Sequence, residues 1–137
     1  MGESNGWAQW TPYLWVGVGG ALGANARYAL GTWIAARLGT AFPAGTLVIN
    51  VTGSLAIGVL LVLLTERLAA PPAWRLLLVV GFLGGYTTFS SYTFEALALL
   101  EAGAWARGAW YVLGSNGLGL AACYAGMVLG RLVPGGR

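Results

Sequence analysis

Three stretches of this chain carry no charged residue: Leu38 to Thr65, Leu76 to Phe94 and Gly108 to Gly130. A fourth, Tyr13 to Ala36, is interrupted only by Arg27. A helix that crosses a bilayer needs about 20 largely apolar residues, and each stretch supplies them. Only 8% of the 137 residues are charged, whereas a soluble domain carries about 25%. Such a chain cannot build a water-facing surface, and its apolar surplus excludes disorder. The reading is an all-α membrane protein, one domain over residues 1–137, with four spans near residues 13–37, 45–65, 73–94 and 108–130. Pro43, Ala70-Pro71-Pro72 and Glu101 to Arg107 punctuate the joins, proline by its missing N–H. Residues 1–12 form a short lead without the basic head of a signal peptide, so the first span is expected to be retained. The seven tryptophans, at positions 7, 10, 15, 33, 74, 105 and 110, read as interfacial anchors in a lipid bilayer.

Enzyme chemistry has little to work with. There is no His and no Asp, and Cys123 is the only cysteine, which excludes a thiolate metal site and an internal disulfide. No nucleic-acid partner is expected. The segment Gly17 to Gly23 has Leu22 where a dinucleotide-binding loop needs its third glycine. Orientation is weakly specified. With four spans, Arg67, Arg75, Arg131 and Arg137 fall on one side and Arg37 and Arg107 on the other, four against two. That balance suits a protein inserted both ways and paired as an antiparallel dimer, and equally one oriented by its first span. Gly19-xxx-Gly23 and Gly126-xxx-Gly130 allow close backbone approach, and self-association is the expected way to bury the polar residues.

Those polar residues are what needs explaining, because unpaired polar groups in lipid are costly and tend to mark function. The third span is expected to break near its middle, where Gly84 and Gly85 precede Thr87 and Thr88. The carbonyls freed there are met either by Ser and Thr side chains, as in an ordinary kink, or by a bound cation. Beyond the break, Phe89 and Tyr92 share a face, as do Ser90 and Phe94, with Thr93 between them. Aromatic rings are positive at the edge and could attract an anion without a fixed charge. Asn50 in the second span, and Tyr111, Ser115 and Asn116 in the fourth, extend a polar track. Each is also explained by interhelical hydrogen bonding.

Three segments together resemble the signatures of the CrcB/Fluc fluoride channels. They are Gly19-Gly-Ala-Leu-Gly-Ala-Asn-Ala-Arg27-Tyr28, Pro43-Ala-Gly-Thr-Leu-Val-Ile-Asn50-Val-Thr-Gly53-Ser54, and Gly81-Phe-Leu-Gly-Gly-Tyr-Thr-Thr-Phe-Ser-Ser-Tyr-Thr-Phe-Glu95. The resemblance runs from about Gly19 to Gly130. It implies a dual-topology homodimer in a prokaryotic inner membrane, two fluoride pores along the dimer interface, and a central sodium ion. By motif position, the backbone carbonyls of Gly84 and Thr87 would hold the sodium. The pore would take Asn50, Phe89, Tyr92, Ser90, Thr93, Tyr111 and Ser115, with Arg27 at a vestibule or paired with Glu95. Two departures stand out: the family usually has Phe at Tyr92, and Gly119 offers no hydroxyl one turn beyond Ser115. A small dual-topology multidrug antiporter would need an acid in its first span, where this chain has Arg27. A noncatalytic subunit of a larger membrane complex is the remaining alternative.

Overall fold

The computed structural model describes residues 9–134. Trp7 and Arg137 lie outside them, as does most of the expected N-terminal lead. All regular structure in the described residues is helical. Helix α1, Thr11–Leu38, has Pro12 in its first turn and stops at Gly39, whose φ of 76° favours a residue without a Cβ. Helix α2, Ala44–Val62, begins directly after Pro43 and runs into a wider turn over Leu63–Arg67, where the Leu68 amide donates to the Leu63 carbonyl. The Pro71-Pro72 pair then starts α3, over residues 72–86. Helix α4 is Phe89–Glu101, and α5 is Trp105–Leu132.

The first, second and fourth expected spans lie within these helices to a few residues. The third does not end at Phe94 but runs on to Glu101. Glu95 is carried through because its carboxylate accepts hydrogen bonds from Thr46 and Tyr111 on neighbouring helices, so it has no need of water. Three stretches are long and apolar enough to cross a membrane, Ala44–Arg67, Pro72–Glu101 and Trp105–Leu132. Helix α1 has the length, 28 residues, but Asn25, Arg27 and Arg37 leave it less apolar.

Two glycine-lined crossings hold the helices together. Gly19 and Gly23 of α1 face Gly81 and Gly85 of α3: a Cβ on Gly19 would stand 3.0 Å from the Gly81 Cα, and one on Gly85 2.5 Å from the Gly20 carbonyl oxygen. Gly58 of α2 meets Gly126 of α5, its would-be Cβ 3.1 Å from the Gly126 Cα, and Gly130 lies on Val62. Both glycine pairs expected to allow close backbone approach do so within one chain, where helices gain packing contacts from close approach. The interior is small. Ile34, Ile49, Val62, Leu83, Ala96 and Tyr111 are its buried apolar side chains, while Phe89, Phe94, Leu97 and Leu120 among many others face outward.

Candidate functional site

The site begins with the interruption between α3 and α4. Within the expected break, Gly84 and Gly85 are helical, and Thr87 and Thr88 are the extended residues, with ψ of 157° and 121°. Gly85 is glycine because the α1 backbone lies against it, not because the chain must bend there. Thr88 starts α4 as its cap, accepting from the Ser91 amide at 3.2 Å. Asn50 of α2 pairs with the exposed peptide edge of Thr88 twice: its Oδ1 accepts from the Thr88 amide and its Nδ2 donates to the Thr88 carbonyl, each at 2.9 Å.

That pairing has a consequence for the carbonyls. In a continuous helix the Thr88 amide would donate to the Gly84 carbonyl and the Ser91 amide to the Thr87 carbonyl. Here the first donates to Asn50 and the second to the Thr88 hydroxyl. Gly84 and Thr87 therefore lose their helical donors, whereas the neighbouring Gly85 carbonyl accepts from Arg27 Nε at 3.0 Å. No group of three or more His, Cys, Asp or Glu side chains exists among the described residues. The oxygens gathered at the interruption are backbone carbonyls and the neutral side chains of Asn50, Thr87 and Thr88.

Next to the interruption an open groove of about 550 Å³ runs between α2, α3, α4 and α5. It brings together Asn50, Gly84, Thr87, Phe89, Tyr92 and Ser115, and no charged side chain lines it. Phe89 projects from its wall, 75% exposed, with its ring centroid 5.6 Å from that of Tyr92. The Ser115 Oγ is buried without a hydrogen-bond partner. Gly119 leaves space one turn further on, towards Ser54.

Other expected site residues are elsewhere. Tyr111 is fully buried behind Tyr92, their centroids 5.4 Å apart, and its hydroxyl donates to Glu95 Oε2 at 2.6 Å instead of joining Ser115 on the groove wall. Thr46 donates to the other carboxylate oxygen at 2.8 Å. Ser90 is exposed, near the Thr88 hydroxyl, and the Thr93 hydroxyl donates to carbonyls of its own helix. Neither lines the groove. Arg27 opens instead onto a second recess of about 360 Å³ that also holds Thr46, Ser91 and Glu95. It makes no ion pair with Glu95; the Gly85 carbonyl takes its Nε. Asn116 of the expected polar track donates to the Tyr92 hydroxyl at 2.8 Å, and the pairings of Asn116 with Tyr92 and of Thr46 with Glu95 join residues remote in the chain.

The family described as CrcB-like protein, Camphor Resistance (CrcB), matches residues 14–127. A fluoride-specific ion channel FluC of Roseiflexus sp. (strain RS-1) is 50% identical over 119 residues, covering 87% of this chain and 96% of that protein. Its counterpart in Solibacter usitatus is 54% identical over 119 residues, covering 87% and 98%. The one in Acidobacterium capsulatum is 48% identical over 121 residues, covering 88% and 97%.

Proposed function

This chain belongs to the CrcB family, and on that premise we propose that it is a fluoride-selective channel, passive and not an enzyme, which exports fluoride across the cell membrane. The observation that carries the reading is the groove beside the helix interruption, where amide and hydroxyl donors and aromatic rings converge with no fixed charge. Moving a small ion into a low-dielectric medium costs on the order of 20 kcal/mol by Born estimates, so unaided fluoride permeation is negligible. Neutral HF crosses lipid and dissociates inside a less acidic cell, which traps the anion. A narrow path with uncharged donors lets it leave down its gradient, binding weakly enough to release it.

The working unit we propose is an antiparallel homodimer of four-span subunits, α1 included, inserted in both orientations. It is supported by the open, one-sided groove, which a single chain leaves without a far wall, and by the weak arginine bias, four against two, between the two sides. A sodium ion fits the donor set: the Gly84 and Thr87 carbonyls, deprived of their amides, would hold it, while Arg27 and Asn50 satisfy the adjacent backbone groups. When bound, the ion neutralises carbonyl dipoles at the interruption. The antiporter and complex-subunit readings have no such feature in their favour.

Efflux from liposomes holding the pure protein, with fluoride and chloride compared side by side, tests the function. Fluoride should pass and chloride should not; equal passage would refute selectivity. Replacing sodium with a large organic cation should lower both the efflux and the melting temperature of the purified protein. If neither changes, the interruption is an ordinary kink.

A further inference from the structure

Tyr92 brings a hydroxyl to the groove, and that hydroxyl is held in a particular way. Asn116 Nδ2 lies 2.8 Å from it and 2.8 Å from the Val112 carbonyl oxygen. A carbonyl can only accept, so the amide nitrogen faces both groups and donates one hydrogen to each. The Tyr92 oxygen is the acceptor in its pair, which leaves its own O–H proton to point elsewhere. Among the described residues nothing else bonds to that hydroxyl. Tyr92, Ser115 and Asn116 all line the groove, and the Ser115 Oγ is likewise without a partner. A hydroxyl that accepts one hydrogen bond is polarised into a better donor of another.

We propose that Asn116 makes the Tyr92 hydroxyl an oriented donor to a small halide in the groove, with the Ser115 hydroxyl as a second donor to the same ion. The proposal rests on the channel reading above and adds a binding contact that a phenylalanine at position 92 could not make. Asn116 is the positioning residue: it touches the phenol, not the ion. A compact, strongly accepting halide such as fluoride gains more from two O–H donors than a larger one, so the pair also favours fluoride over chloride.

Fluoride efflux from liposomes, measured over a series of fluoride concentrations, separates this role from simple packing. The proteins to compare are the unaltered chain, Tyr92→Phe, Asn116→Leu and the double variant. Tyr92→Phe should raise the half-saturating concentration about tenfold, the loss of roughly one hydrogen bond to a charged group. Asn116→Leu should raise it less, and the double variant no more than Tyr92→Phe, because Asn116 acts only through that hydroxyl. An unchanged half-saturating concentration with a lower maximal rate or melting temperature would reduce the pair to a tie between α4 and α5. Additive effects would also overturn the proposal. An unaltered chain that passes no fluoride would instead sink the channel reading, and this contact with it.

Discussion

Asn50 and Phe89 flank the same groove but are held by different physics. Asn50 satisfies both polar groups of one peptide edge. Replacing it with Ala leaves the Thr88 amide unpaired, at about 1–3 kcal/mol, while the Thr88 carbonyl, at the N-cap, keeps its intrahelical partner. Asn50→Ala should therefore lower the melting temperature along with fluoride efflux. Phe89 is 75% exposed in the single chain and supports little of its packing. Phe89→Ile should cut efflux while leaving the melting temperature within a few degrees of the unaltered protein. Equal thermal losses in the two variants would show that Phe89 is a packing residue after all. Glu95 makes the related point that a carboxylate survives inside a span when two hydroxyls reach it. Its partners lie 49 and 16 residues away in sequence, which is why a polar cluster could be anticipated there but its membership could not.

At the scale of helices, the glycines decide which elements touch. The α1–α3 crossing brings backbone against backbone at Gly19 and Gly81, and backbone atoms cannot rotate aside as a flexible side chain can. Gly19→Ala should cost about 3 kcal/mol, the upper range for overpacking, and show as lost melting temperature or failed purification. Gly17, two residues earlier on the same helix, has nothing within 4 Å of where its Cβ would be. Gly17→Ala should be neutral or slightly stabilising, since alanine is the better helix former. Similar effects at both positions would contradict this crossing. The extended pair Thr87–Thr88 belongs to the same scale. An interrupted span in lipid must have its freed backbone groups met; here α1 sends Arg27 to the Gly85 carbonyl and α2 sends Asn50 to Thr88, which leaves the Gly84 and Thr87 carbonyls to the proposed cation. The interruption is a property of three helices together.

For the whole molecule, the proposed two-way insertion goes with a weak arginine bias, four against two. Tipping it should be easy. Two or three arginines added at the join between α2 and α3, on the side that already holds four, should drive insertion one way, as the positive-inside rule requires, read by labelling single introduced cysteines from either face of intact membranes. Fluoride efflux should fall with the minority orientation and return when an oppositely biased copy is expressed alongside. Full efflux from a population facing one way would rule out the antiparallel dimer.

The sequence by itself determined that this is a multi-span helical membrane protein, because charge-free runs of bilayer length leave no other stable state, and it located the joins at its prolines and charges. Three signature segments in order were enough to indicate the family. What only the tertiary structure decided is who meets whom: that Gly84 and Gly85 stay helical while Thr87 and Thr88 extend, that Tyr111 turns to Glu95 and away from the groove, and that Arg27 spends its Nε on the Gly85 carbonyl. Hydropathy is a local sum over neighbours in the chain, and it can find a span. A hydrogen bond between residues on different helices depends on the crossing geometry that brings them together, and no local sum contains it.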